Sequence, residues 1–188
     1  MLSCAKSGYC LSRWGCWKGN KKFLMDWKKH IENAYRANDS FTTYGSLPGF
    51  AEPATLEEIR EIERILKCQI PNDLKSLLMQ TNGITEKMIL NGGYTEINVF
   101  IFSSEEIVDI NVWHRDHEED IRPKQRFHKF IVFGQTGVDG IYFALPISNL
   151  EDTKAGIYAW YPIDCEFITV AETLEELTFN WPSGKLSV

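Results

Sequence analysis

Long hydrophobic runs are missing from this sequence: no part of its 188 residues approaches the roughly 20 continuous apolar residues of a membrane-spanning helix. The first 16 residues also lack the apolar segment of a secretory signal, and no glycine follows the initial methionine as it does in a myristoylation site. We therefore expect a cytoplasmic protein without a membrane span. Palmitoylation of cysteines near the start of the chain remains an open alternative.

The cysteines lack the spacing of a zinc site. There are five of them, an odd number, and their separations match no zinc pattern. Free thiols in a reducing compartment are the simplest interpretation. The cysteines are Cys4, Cys10, Cys16, Cys68 and Cys165.

Acidic residues are missing from residues 1–24, which carry five of the 20 basic residues. The rest of the chain therefore holds 15 bases against 26 acids, a net charge of −11. Contacts with phosphate need clustered lysine and arginine, so we expect no nucleic-acid partner. An acidic surface suits a basic protein partner, although the same charge also serves solubility alone.

The rest of the composition is that of a folded protein, with 44% hydrophobic and 13% aromatic residues. We predict that residues 1–24 are a basic, cysteine-containing leader that is disordered or lies upstream of a true start at Met25. A helical pattern begins near Trp27. A single domain is therefore expected over residues 25–188.

Capping boxes predict the starts of three helices, at Thr55–Glu58, Ser103–Glu106 and Thr173–Glu176. In the first helix, an apolar stripe from Leu56 to Leu66 is interrupted only by Glu63. Ile107 and Ile110 are expected to face inward in the second helix, and Leu174, Leu177 and Trp181 in the third.

Another helix restarts the chain at Pro71, where the missing N–H costs nothing. We predict that this helix ends at Asn82-Gly83 in a left-handed cap. Residues 38–49 are rich in turn formers and are predicted to be a loop. Residues 114–129 are polar and are predicted to be an exposed helix end and loop.

Six strands are predicted, and the short gaps between most of them favour antiparallel neighbours. The fold class is therefore α+β, with a mostly antiparallel sheet of about six strands flanked by N-terminal helices, one inserted helix and a C-terminal helix. The strands are residues 88–90, 97–102, 129–133, 140–145, 157–160 and 167–170.

Three kinds of chemical site are weighed and set aside. His114, His117 and His128 could suggest a metal site, but they lie in a hydrophilic run that is more typical of solvated surface. Cys68 and Cys165 have no local signature of a nucleophile. A glycine-rich loop over residues 134–140 leads into a strand rather than a helix, so a turn between strands is expected instead of a phosphate site. No cofactor, metal or catalytic residue is assigned.

Over residues 50–182 the sequence resembles the SUKH superfamily, the Smi/Knr-type domain. Its first and most specific block runs from Pro53 to Ile59 and includes the later Glu63. The other matching positions are Pro71, Asn82, Gly83, Phe133, Gly134, Asp139, Gly140, Trp160 and Trp181. The correspondence at Asp139-Gly140 is loose, because the family pattern often has glycine before aspartate there.

The resemblance implies an α+β fold and non-enzymatic work. Many bacterial members look like immunity proteins that neutralise a cognate toxin such as a nuclease or deaminase, and fungal relatives are regulators. The matched positions are mostly caps, turns and core, so they bear on fold more than on function.

The favoured interpretation is an immunity protein that covers a basic toxin with an acidic surface. The alternatives are a regulatory interaction module without a toxin partner and a small hydrolase using Cys and His. The oligomeric state stays open. The candidate contact residues are Asp116, Glu118, Glu119, Asp120, Glu151, Asp152, Asp164 and Glu166.

Overall fold

The computed structural model describes residues 25–38, 45–117, 127–137, 140–147, 155–164 and 166–188. Within these ranges the chain forms five α-helices and one seven-stranded sheet. The helices are α1 Trp27–Arg36, α2 Leu56–Leu66, α3 Asn72–Leu78, α4 Ser104–Asp116 and α5 Leu174–Asn180. The strands are β1 Leu47–Phe50, β2 Ile84–Leu90, β3 Gly93–Ile101, β4 Phe130–Gln135, β5 Tyr142–Pro146, β6 Ile157–Tyr161 and β7 Glu166–Ala171. A 3₁₀ turn, Phe127–Lys129, precedes β4.

The strands lie in the sheet in the order in which they occur in the chain, and every neighbouring pair is antiparallel. This confirms the α+β class and the antiparallel sheet, with one strand more than expected. The additional strand is β1, which occupies part of the predicted loop over residues 38–49. That loop prediction is wrong for Leu47, Pro48 and Gly49, because pairing with the distant β2 overrides the local preference for a turn. An edge strand tolerates a proline that a central strand would exclude.

One hydrophobic core unites the helices and the sheet. The strand β4 lies at the sheet centre, and its first five residues are all buried. Helix α2 packs on α4, α4 packs on β4, and α1 packs on α5 and β1. The predicted stripe of α2 is confirmed at Ile59, Ile62 and Leu66, which are buried, whereas Leu56 is 54% exposed at the first turn.

The predicted capping boxes of α2 and α4 are complete. Thr55 and Ser103 each accept a hydrogen bond from the backbone N–H three residues later, and the glutamate there accepts one in return. At α5 the box is half formed: Thr173 accepts from the Glu176 N–H, but the Glu176 carboxylate accepts from the Glu172 N–H instead. Side chains thus fix the starts of all three helices.

The predicted end of α3 is wrong. The helix ends at Leu78, and the next residue, Met79, keeps right-handed backbone angles. Gly83 does have a positive φ of 106°, but it lies in the turn that leads into β2. Asn82 in this turn accepts a hydrogen bond from the Ser104 N–H at 2.7 Å, so its amide ties the turn to the start of α4.

The contact between β3 and β4 is unusually short. Within the described residues the two strands share one residue pair, Ile101 with Gly134. They can approach there because Gly134 has no side chain: a Cβ atom added to it would come within 2.3 Å of the Phe100 carbonyl oxygen. After Ile101 the chain leaves the sheet and enters α4.

Helix α4 takes the place of β3 along the rest of β4. The Asn111 amide nitrogen donates to the Val132 carbonyl at 2.7 Å, and the Val132 N–H donates to the Asn111 amide oxygen at 2.9 Å. These are the two bonds that a neighbouring strand would supply. One turn later, the Arg115 guanidinium donates to the carbonyls of Phe130 and Leu66, so it also closes the end of α2.

Candidate protein-binding face

The candidate functional surface is the outer side of α4. Its inner side is fixed by Ile107, Asn111 and His114, which are all buried against the sheet. Successive turns of a helix bring residues three and four apart onto one side. The stripe opposite the core therefore carries a set of acids around one tryptophan. Its members are Glu105, Glu106, Asp109, Trp113 and Asp116.

The acids of this stripe lack cationic partners among the described residues. Glu105, Asp109 and Asp116 are exposed and form no ion pair there. Acids of the neighbouring α2 differ in this respect, because Glu61 is paired with Arg64 at 2.5 Å. Arg115 is the nearest base along α4, and its guanidinium is turned inward to backbone carbonyls. The outer side of α4 thus presents uncompensated negative charge.

An apolar groove of about 420 Å³ runs beside the acidic stripe. Trp113 forms one wall, and 52% of its surface is exposed. This exposure contrasts with the usual burial of large aromatic side chains. The groove is lined by Phe102, Glu106, Asp109, Ile110, Trp113, Gln135 and Tyr142.

A second cleft, of about 300 Å³, lies between α2 and α4. Asp109 lines both clefts, so the two form one continuous surface over α4. Glu58, Glu61 and Glu105 line the second cleft together with the apolar side chains of Ile65 and Val108. We call the acidic stripe, the groove and the cleft together the α4 face.

His114 is buried beneath the α4 face, whereas the sequence analysis predicted that it would be exposed. The ring is 4% exposed, stacks on Phe127 with centroids 4.5 Å apart, and contacts Tyr142 edge-on at 5.3 Å. The prediction that residues 114–129 are exposed is therefore wrong at His114 and Phe127. Aromatic packing from β5 and the 3₁₀ turn, which are distant in sequence, buries both rings.

The buried imidazole has no hydrogen-bond partner on either nitrogen within the described residues. Burial, reinforced by nearby His117, lowers the pKa of His114 from 6.5 to about 4. The ring is therefore neutral at pH 7, because protonation would place a charge in an apolar environment.

This pKa predicts a loss of stability in mild acid. The unfolded chain takes up a proton at His114 below pH 6.5, whereas the folded protein resists it down to about pH 4. The free energy of unfolding should therefore fall by about 3 kcal/mol across this window. Denaturant unfolding of the His114→Phe variant at pH 7 and pH 4 checks this, since phenylalanine keeps the stack on Phe127 without titrating. Equal losses in the variant and the native protein would contradict the assignment.

In the part of the chain that the structure describes, the other clefts and side chains give no sign of a catalytic centre. Burial raises the pKa of the Cys68 thiol, an effect that outweighs the influence of Arg115, and this is opposite to what a nucleophile needs. Within the described ranges, His, Cys, Asp and Glu side chains form no cluster that could hold a metal ion. A third cleft, of about 400 Å³, lies between α1 and β1 beside Tyr35, whose pKa is raised by burial and then by Glu86.

Comparison with known protein families gives a match over residues 53–179 to the SMI1 / KNR4 family (SUKH-1). The matched region is well over half of the chain. The chain belongs to the SMI1 / KNR4 family. Members of this family generally act without catalysis and through contacts with other proteins. A search of curated proteins found no match.

Most of the described positions that carry the SMI1 / KNR4 resemblance have structural roles. The Glu63 carboxylate accepts from the Ile70 N–H at 3.1 Å and from Lys75 Nζ at 3.0 Å, which joins α2 to α3. Pro71 precedes the first residue of α3 as its N-cap. Burial raises the Glu63 pKa, but the bonds from Lys75 and Ile70 outweigh this and leave the pKa below its usual value.

The later family positions lie in the sheet and its turns. Phe133 and Gly134 are buried in β4, and Trp160 is buried in β6 with no partner for its indole N–H among the described residues. Trp181 is half-buried against Phe143, at a centroid distance of 5.4 Å. Pro53 is exposed before α2, Gly140 has a positive φ of 64° before β5, and Asp139 lies outside the described residues.

Because β4 and β5 pair antiparallel, the glycine-rich stretch joins two strands as predicted.

Of the predicted contact residues, Asp116 belongs to the α4 face, while Asp164 and Glu166 are exposed at the turn between β6 and β7. The two regions flank one aromatic cluster, because Phe127 contacts both His114 and Phe167, the residue after Glu166. Five candidate acids lie outside the described residues. They are Glu118, Glu119, Asp120, Glu151 and Asp152.

Sequence reasoning missed Glu105, Asp109 and Trp113. A tryptophan among polar residues, with an aspartate four positions before it and another three after it, was the available signal.

None of the helices in the described ranges is both long and apolar enough to cross a membrane.

Proposed function

We propose that this protein is a non-catalytic immunity protein that binds and neutralises a cognate basic protein toxin of the nuclease or deaminase type. The observation that carries the proposal is the α4 face, where exposed acids that have no cationic partner among the described residues surround an exposed tryptophan. Exposed tryptophan is typical of the few residues that dominate binding energy in protein interfaces.

Charge explains why such a face suits a toxin that acts on nucleic acid. A nuclease carries basic residues where it contacts phosphate. An acidic protein is attracted to that surface over several ångströms, which raises the association rate and disfavours acidic competitors. Membership of the SMI1 / KNR4 family supports binding to a protein, and a regulatory module of this family without a toxin partner is the competing function.

Charge reversal tests the proposal through kinetics. Asp109→Lys with Asp116→Lys should slow association with the toxin encoded by a neighbouring gene by about tenfold at low salt, because long-range attraction is lost. The salt dependence of the association rate should flatten as well, because part of the long-range attraction that salt screens is gone. The melting temperature should stay unchanged, because both side chains are exposed. Stopped-flow binding to a catalytically inactive toxin measures both rates.

The matched control is Glu52→Lys with Glu172→Lys, which makes the same change in net charge at two exposed acids outside α4. A triple reversal of Glu118, Glu119 and Asp120 tests the contact site predicted from sequence. Equal slowing by the control would mean that net charge, and not the α4 face, governs the encounter. No binding to any neighbouring toxin and no protection of toxin-expressing cells would reject the immunity function and leave the regulatory module.

A further inference from the structure

Trp113 is held in place by its own helix. His117 stacks on the indole with centroids 4.8 Å apart and an angle of 23° between the rings. The His117 Nδ1 atom donates to the Trp113 carbonyl at 2.8 Å, which fixes the imidazole in this position. Half of the indole surface stays exposed despite this stack. A pre-positioned aromatic surface loses little conformational entropy when a partner binds.

The groove beside Trp113 combines apolar walls with two carboxylates. Phe102, Ile110 and Tyr142 supply the apolar surface. On the same side of α4, Asp109 stands one turn before Trp113 and Glu106 about two turns before it. The Glu106 carboxylate also accepts hydrogen bonds from the backbone N–H and the hydroxyl of Ser103 in the capping box. Asp109 has no ion pair within the described residues.

These features favour one kind of occupant. A planar guanidinium stacks on an indole, donates to two carboxylates through its several N–H groups, and carries an apolar stem that can lie along aromatic and aliphatic walls. A lysine ammonium would satisfy the charge but not the planar stack. An acidic or phosphate-bearing segment would be repelled by Glu106 and Asp109.

We propose that the groove beside Trp113 binds an arginine side chain of the partner, flanked by apolar residues, with the guanidinium stacked on the indole and paired with Asp109. This inference rests on the proposed function for the identity of the partner as a toxin, and on the groove itself for the chemistry of the contact. The arginine is the anchor of the interface, and the acids of the α4 face guide it there.

The first arm of the test uses the full chain and the catalytically inactive toxin encoded by a neighbouring gene. Trp113→Ala should weaken equilibrium binding by about 30-fold, as loss of an interface anchor does. Trp113→Phe, which keeps a weaker aromatic face, should lose less. Asp109→Asn with Glu106→Gln should weaken it about tenfold, and glutamine keeps the capping box of α4. Leu56→Ala is the matched control for an exposed apolar side chain and should stay within about twofold.

The second arm needs no toxin. N-acetyl-arginine amide is titrated into the full chain, and the indole N–H resonance of Trp113 is followed by NMR, with its assignment from the Trp113→Phe variant. The resonance should shift with the arginine compound and stay fixed with N-acetyl-glutamate amide. The shift should disappear in the Asp109→Asn, Glu106→Gln variant.

The two arms separate the inference from the proposed function. The arginine site would be overturned, with immunity intact, by two results together. The Trp113→Ala variant would bind the toxin within twofold of the native affinity, and the arginine compound would not shift the indole resonance. An arginine-specific shift in a protein that binds no toxin would support the site and reject the toxin as partner. Equal shifts with the arginine and glutamate compounds would overturn the proposed chemistry.

Discussion

Replacing Asn111 by leucine should lower the free energy of unfolding by about 3–5 kcal/mol. The side chain is 1% exposed and exchanges two hydrogen bonds with the backbone of Val132, at 2.7 and 2.9 Å. Leucine has a similar size but leaves the buried N–H and C=O of Val132 without partners, and each such group costs about 1–3 kcal/mol. Denaturant unfolding measures the change, which is a large share of a total stability of about 5–15 kcal/mol.

Two variants control this measurement. Asn33→Leu makes the same replacement at an exposed position of α1 and should change stability by less than about 0.5 kcal/mol. Asn111→Asp keeps an acceptor for the Val132 N–H but loses the donor and places a carboxylate beside a carbonyl oxygen, so it should be at least as unstable as the leucine variant at pH 7. A leucine variant within about 1 kcal/mol of the native protein would show that β4 does not depend on α4 for these bonds.

Gly134→Val should destabilise the protein by about 3 kcal/mol or more, at the upper end of the cost of overpacking. The added Cβ atom would approach the Phe100 carbonyl oxygen to 2.3 Å, and a backbone atom cannot rotate away as a flexible side chain can. Relief requires separation of β3 from β4, and these strands are joined there by the single pair of Ile101 and Gly134. Thermal and denaturant unfolding both measure the effect.

Gly93→Val is the matched control for the Gly134 variant. Gly93 also lies in a strand, and a Cβ atom added to it would meet nothing within 4 Å. Valine there should be neutral or slightly stabilising, because it favours extended backbone and reduces the freedom of the unfolded chain. Similar losses at both positions would mean that valine is unfavourable in these strands in general, and that close approach at Gly134 is not the cause.

The elements that sequence predicted are those with local causes. The caps of α2 and α4 depend on side chains within four residues of one another, and the stripe around Ile62 depends on helical spacing. The class of the sheet followed from the short gaps between strands. Family membership agrees with the resemblance drawn from Pro53 onward.

The elements that sequence missed depend on partners far along the chain. The strand β1 forms because β2 pairs with it from beyond two helices. His114 is buried because Phe127 and Tyr142 pack on it. Asn111 can lie in the core because the Val132 carbonyl accepts a hydrogen bond from its amide nitrogen. A polar residue in a hydrophilic stretch gives no local sign of such a partner, so the end of α4 from His114 onward was predicted to be exposed.

The order of the strands also bears on how the chain reaches this fold. Four of the six strand pairs join strands that follow each other directly in the chain. They are β2–β3, β4–β5, β5–β6 and β6–β7, and the entropy cost of closing the loops between them is small. The exceptions are β1–β2 and β3–β4, which have helices between them. Such non-local pairings slow folding more than local ones. Asn111 lies within the segment that closes the second gap, and the effect of its replacement on the folding rate would show whether α4 docks on β4 before or after the main barrier.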